Sequence, residues 1–316
     1  MRVGLIVDSA CDLPHDFVKE NNIYILPVTI TIDGHTIVDD HDPDTTREFQ
    51  QSGLMEKGHT AETQAFTEEQ IRDLFLEEIV TQYDFAFLET IARSRSQIFD
   101  NAEAAMNRIM RDYRPKRHAA GRKGAFSMRV VDSGTMFGGQ GVLAAHTVHL
   151  INQGIGKAEL RTRVNQMRDN IYGCLVPKDL YYIRARGRQR GDKTLPWLST
   201  FLAKTLGIFP VIWGRGSEGG AVAKERSFEA AIDTMFSYGV KRVREGLLSP
   251  YVCVSYGIPD EEFEQLPGVA RLREACEQNN VTLLCCRGGI TSGIYVGPES
   301  IGLALAAPSH EFTTDS

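Results

Sequence analysis

Val3-Gly4-Leu5-Ile6-Val7-Asp8-Ser9-Ala10-Cys11-Asp12-Leu13-Pro14 holds the first strand-to-helix transition of the chain. The apolar run over residues 3–7 predicts a strand, Asp8-Ser9 ends it, and a helix follows Pro14. Either Ser9 or Asp12 caps that helix, or this strand end belongs to a rim where a ligand head group sits. The alternation then repeats as strand 23–32, helices 45–51 and 67–81, strand 85–91, helix 94–112, strand 128–131 and helix 141–151. Strands alternating with amphipathic helices predict a largely parallel sheet covered by helices, in which ligands collect at the carboxyl ends of strands.

Gly154 and Gly156 mark a boundary. Beyond it the pattern reads helix, strand 172–176, helix, a basic turn, helix 195–206, strands 208–213 and 221–223, helix 227–245, strand 251–256, helix 261–277, strand 281–285, a glycine-rich loop and strand 302–306. Residues 310–316 are expected to be a frayed tail, and the polar segment 112–123 a solvated loop within the first half. A chain of 316 residues exceeds what one hydrophobic core usually organises. The expectation is therefore two α/β domains with largely parallel sheets, residues 1–155 and 156–316, with a ligand cleft between them.

Hydrophobic residues make up 42% of the chain, and its formal net charge is -6. That balance excludes a general nucleic-acid binder, which needs a cationic face to displace counterions from phosphates. The apolar run at the start is too short for a signal-peptide core, and no stretch approaches the roughly 18 apolar residues of a membrane span. A cytoplasmic protein with no integral membrane segment is expected. Of the six cysteines, Cys174, Cys253 and Cys285 lie in apolar strand-like segments and read as buried thiols. The neighbours Cys285 and Cys286 point to opposite faces of a strand, which disfavours a disulfide between them.

Gly214-Arg215-Gly216-Ser217-Glu218-Gly219 matches the spacing of a dinucleotide-binding loop. That loop must lead into a helix N-terminus, whereas Gly220-Ala221-Val222-Ala223 reads as a second strand, so a β-hairpin turn is expected here. No nucleophile elbow, P-loop or H-E-x-x-H motif occurs. His146 and His149 lie three apart on a helical stretch with no third ligand. No enzyme, metal or cofactor is expected.

Gly288-Gly289-Ile290-Thr291-Ser292-Gly293-Ile294-Tyr295-Val296-Gly297-Pro298-Glu299-Ser300-Ile301-Gly302 sets five glycines and a proline between two apolar strands. Backbone there must turn tightly and approach something closely. With residues 7–14 this run resembles two signatures of the DegV family. Val130-Val131-Asp132-Ser133 with Gly138-Gly139-Gln140-Gly141, residues 180–188 and residues 202–212 extend the resemblance, in order, from residue 3 to about 306. The resemblance implies a monomeric two-domain α/β protein that holds one long-chain fatty acid in a buried apolar tunnel and has no chemistry of its own. It also implies a possible partner, because binding subunits of bacterial fatty acid kinase in this family present the carboxylate to a separate kinase. The alternative is a binder or enzyme for another small anionic, phosphorylated ligand in the same cleft.

Within residues 60–69, Thr67 and its neighbouring glutamates form a helix N-cap, which leaves Thr63 and Gln64 without a structural task. The family carries Thr-Ser-Gln-Pro-Ser here, its hydroxyls at the fatty-acid carboxylate, and Thr63 matches the serine. After strand 85–91, Ala92 and Arg93 replace two serines of the family, while Ser94 and Ser96 stay nearby. A strand end entering a helix N-terminus suits an anion. Arg93 either takes the carboxylate through two parallel bonds or faces solvent at a helix start. Tyr295-Val296-Gly297-Pro298-Glu299 stands where the family has His-Thr-Gly-Pro-Gly. Tyrosine keeps a hydroxyl but does not titrate near neutrality as imidazole does, which favours carriage over phosphoryl transfer. The expected ligand site is thus Thr63, Gln64, Arg93, Ser94, Tyr295 and Gly297. Residues 182–188 are similar to the family's Tyr-Leu-Arg-x-Gly-Gly-Arg turn, where its binding subunits meet their kinase. Arg184, Arg186 and Arg188 are either partner contacts or a bare solvated turn.

Overall fold

The computed structural model describes residues 1–55, 58–189, 207–216 and 218–314. Strand β1 (Val3–Asp8) lies between β2 (Tyr24–Leu26) and β6 (Phe85–Thr90), and β7 (Ser127–Asp132) follows β6, all four parallel. Their carboxyl ends therefore share one rim. The strand expected over 23–32 is broken at Pro27, which has no N–H for a ladder bond. Its second part, β3 (Val28–Ile32), joins β4 (His35–Asp39) and β5 (Ala61–Gln64) in a small antiparallel sheet of order β4-β3-β5. Asp33 and Gly34, at φ 47° and 85°, turn the β3–β4 hairpin, the backbone a two-residue turn requires.

Helix α1 (His15–Glu20) has no side-chain cap. Ser9 and Asp12 are both buried and neither caps it, Asp12 accepting instead from the Gly289 amide and the Ser292 hydroxyl, so the capping reading of this segment gives way. Helix α2 (Pro43–Gln51) is capped by Asp42. Helix α3 (Glu68–Leu74) starts at the expected Thr67 capping box and runs into a π-helical turn, Phe75–Ile79.

Helix α4 (Ile98–Ala119) takes in residues 112–119 of the segment 112–123 read as a loop, which is left irregular only from residue 120. Pro115 leaves the Arg111 carbonyl without its helical donor, but that residue is exposed. The buried Arg117 guanidinium donates to the Val80 and Tyr83 carbonyls at 2.6 Å and to Asp84 at 3.0 Å. Tertiary hydrogen bonds override the local signal.

Helix α5 (Gly138–Asn152) is buried almost throughout, as a helix apolar all round should be. One side meets β1 and β6; the other meets the second sheet. Helix α6 (Lys157–Arg168) packs beside it.

The second sheet has the order β10-β9-β8-β13-β11-β12, built from β8 (Ile171–Val176), β9 (Phe209–Arg215), β10 (Glu218–Glu225), β11 (Tyr251–Tyr256), β12 (Thr282–Arg287) and β13 (Ile301–Ala306). It is mixed. Among its described pairings only β11 with β12 is parallel. A parallel pair needs a crossover, which α9 (Asp260–Glu264) and α10 (Pro267–Gln278) supply. The break between those two helices falls before Pro267, within what reads as one helix. The last strand, β13, enters antiparallel between β8 and β11. The G-x-G-x-x-G run is indeed a hairpin, with Glu218 paired to Arg215.

Helix α7 (Leu180–Gln189) replaces the expected basic turn, and helix α8 (Phe228–Glu245) covers the outer face of the second sheet. The glycine-rich loop likewise contains a helix, α11 (Ile290–Val296). The helix expected at 195–206 lies outside the described residues. The tail is anchored rather than frayed at its start: His310 meets the Tyr172 ring at 4.2 Å, and Phe312 stacks on Tyr238 at 4.6 Å. All six cysteines are free thiols. Among the described residues no helix is long and apolar enough to cross a membrane, and no cluster of side chains suits a metal ion.

Candidate functional site

One cavity of about 240 Å³ opens where the rim of the parallel sheet faces the second sheet. The rim contributes Asp12 after β1, residues 91–95 after β6 and residues 134–139 after β7. Met55, Phe137, Leu175, Ile183 and Leu303 are among its apolar lining, α7 and α11 bring further walls, and glycines line much of the rest.

Helix α11 is held by side chains from the first half of the chain. Asp39, fully buried, accepts from the Thr291 amide at 2.8 Å and its hydroxyl at 2.6 Å. Asp12 accepts from the Gly289 amide at 3.0 Å and from the Ser292 hydroxyl at 3.1 Å. From the other side, the Tyr182 hydroxyl donates to the Ile294 carbonyl at 3.1 Å. Gly293 admits Met55, whose sulfur would lie 2.6 Å from any Cβ there. Gly297 ends the helix at φ 97°, a conformation that favours glycine.

These tethers bring Tyr295 to Thr63, their hydroxyl oxygens 2.7 Å apart across 232 residues of sequence. Tyr295, Ser94 and Gly297 line the cavity, and Thr63 reaches it through that hydrogen bond. Two expected site residues fall elsewhere. Gln64 is exposed on β5, because alternation along a strand turns it away from the face that carries Thr63. Arg93 is exposed, pairs with Asp100 at 2.7 Å and lies over the Phe99 ring; it is not among the lining residues. Arg95 takes the inward place instead and is the only basic side chain among the described lining residues. The turn that carries it is closed by the Arg95 amide on the Ala92 carbonyl at 2.8 Å. Nothing in Arg93-Ser94-Arg95 tells which arginine faces inward; that depends on this turn.

Arg186, read as a partner contact, is buried. It donates to the His59 carbonyl at 2.7 Å and lies over the Tyr182 ring at 5.0 Å. A helix in place of the turn points it into the protein. Arg184 is half-buried, and Arg188 lies in α7.

Burial pushes the Asp12 carboxyl up to about 6, against the lowering effect of His41 and its hydrogen bonds. An ionised Asp12 disfavours an anion beside it, whereas the Arg95 guanidinium favours one. Behind the rim, between β6 and α5, Glu89 is fully buried, and desolvation pushes its carboxyl to about 8. One of its oxygens accepts from the Thr147 hydroxyl; the other has no partner.

The cavity is mainly apolar, holds one basic side chain among its described lining residues, and lies between two sheets of an α/β fold, where small-molecule sites commonly form. The chain belongs to the DegV family: the family model described as "Uncharacterised protein, DegV family" matches residues 2–307. The DegV domain-containing protein XCC3382 of Xanthomonas campestris is 42% identical over 313 residues, 99% of this chain and 100% of that one. The fold matches the stearic acid-binding protein of Eubacterium ventriosum with a TM-score of 0.75 at 20% identity, over 96% of this chain and 98% of that one. It also matches DegV, a fatty acid binding protein from Bacillus subtilis, with a TM-score of 0.73 at 17% identity, over 98% and 100% of the two chains.

Proposed function

We propose that this protein binds one long-chain fatty acid, the acyl chain in the apolar part of the cavity and the carboxylate at the end formed by Tyr295, Thr63, Ser94 and Arg95. The observation that carries the reading is a cavity apolar over most of its wall that is lined by both one described cation, Arg95, and the Tyr295 hydroxyl paired with Thr63. Apolar surface gains about 25 cal/mol per Å² on leaving water, so an acyl chain is a better occupant than solvent. A buried carboxylate needs charged or hydrogen-bonded partners, and these residues offer both. The fatty-acid binding stated for the similar Eubacterium and Bacillus proteins supports the same reading.

The role is carriage without catalysis, in the cytoplasm and as a monomer, with the chain divided into residues 1–155 and 156–316. Presentation of the carboxylate to a separate kinase is a further proposal, in which Arg184 and Arg188 remain contacts and the buried Arg186 holds α7 in place. Solvent extraction of folded recombinant protein followed by mass spectrometry is expected to recover about one long-chain acid per chain. Folded protein that yields no lipid and binds none on addition refutes the reading.

A further inference from the structure

The floor of the cavity is a row of residues with little or no side chain. In-register pairing sets Gly219 beside Gly214, Gly214 beside Gly173, Gly173 beside Ala304, and Ala304 beside Cys253. Residues paired in this way share one face of a sheet. That face is turned toward α5, because a Cβ on Gly138 would lie 3.6 Å from the Cys253 Cβ and 3.7 Å from the Ala304 Cβ. Glycine inside a sheet loses side-chain packing and costs backbone entropy, so such a row marks a place where something else takes the space. At about 4.8 Å per strand, Gly219 to Ala304 spans about 14 Å across the strands.

The glycines of this row are not equivalent. A Cβ at Gly214 would meet the Glu218 carbonyl oxygen at 2.8 Å, and one at Gly219 the Trp213 carbonyl oxygen at 3.1 Å, so the hairpin itself needs glycine there. At Gly173 a Cβ would meet no heavy atom within 4 Å, and the backbone is outside the left-handed region. Neither the backbone nor a neighbour calls for glycine at 173, and the position lines the cavity. We infer that Gly173 is the position that determines acyl-chain length: its missing side chain lets a long tail cross β8 on the floor of the cavity. This inference rests on the fatty-acid reading above.

The test titrates palmitate and myristate into lipid-free wild type, Gly173→Ala and Gly173→Val. Two further methylenes buried at about 0.8 kcal/mol each give the wild type a preference for palmitate of about 15-fold. In Gly173→Val that preference is expected to fall to about one, with Gly173→Ala between. Unfolding midpoints should stay at or above wild type, because a β-branched residue suits a strand and this one meets no atom. Should Gly173→Val fail to fold, the alanine variant decides by the same ratio. An unchanged preference in the folded variants, or equal affinities in the wild type, overturns the inference. Binding of neither acid by the wild type overturns the fatty-acid reading itself, which is a separate outcome.

Discussion

Replacing Glu89 by glutamine should flatten the dependence of stability on pH. Glu89 sits in β6 against α5 with no exposed surface, and desolvation raises its carboxyl from 4.5 to about 8. Between those values the unfolded chain has released the proton and the folded chain keeps it. Stability therefore falls as pH rises, by about 1.4 kcal/mol per unit. The favourable contribution is fully present below about 4.5 and lost as pH climbs through about 8. From pH 5 to pH 8 the wild type should lose about 4 kcal/mol through this one group. Glutamine is neutral at every pH and its carbonyl can still accept from the Thr147 hydroxyl. Asp8 and Asp12, both raised to about 6 by burial, and His146, lowered to about 4 by burial, titrate in either protein and cancel in the difference. The assay is urea denaturation of lipid-free wild type and Glu89→Gln at both pH values. Parallel pH profiles would refute the reasoning, since they would mean that the folded protein holds Glu89 ionised without cost.

Other substitutions probe the head-group end and α7. Arg95→Ala should weaken fatty-acid binding by about 10-fold or more, the worth of a charge-assisted bond, while Arg93→Ala stays within about twofold; isothermal titration distinguishes them. Tyr295→Phe and Thr63→Val should each cost about 1 kcal/mol of binding, a few-fold in Kd, and the double variant should cost less than the sum because the two hydroxyls share a hydrogen bond. Arg186→Ala should lower folding stability by about 2 kcal/mol, because it removes a buried guanidinium from the His59 carbonyl and the Tyr182 ring. A chemical denaturation midpoint equal to wild type would restore Arg186 as a surface contact.

The strand–helix alternation behind the parallel sheet, the hairpin at 214–219 and the Thr67 cap were legible in the sequence, whereas β4, β5 and α11 were not; Thr63 and Tyr295 were both singled out there, and the fold sets their hydroxyls 2.7 Å apart. What was legible depends on local pattern or on signatures whose spacing survives along the chain. Where distant contacts outweigh local preference, the reading fails. Pro115 and a run of basic residues read as a loop, yet the bonds of Arg117 to residues 80, 83 and 84 carry a helix through them. Residues 182–188 read as a solvated turn because Arg186 looks like surface charge until the His59 carbonyl and the Tyr182 ring enclose it. The choice of Arg95 over Arg93 rests on one turn after β6. The antiparallel entry of β13 between β8 and β11 lies beyond any local pattern, since strand direction is set by the partner and not by the strand. The same pairing aligns Gly219, Gly214 and Gly173 into one floor. Periodicity in a linear chain specifies which residues face inward, whereas register between strands far apart in sequence decides what they face.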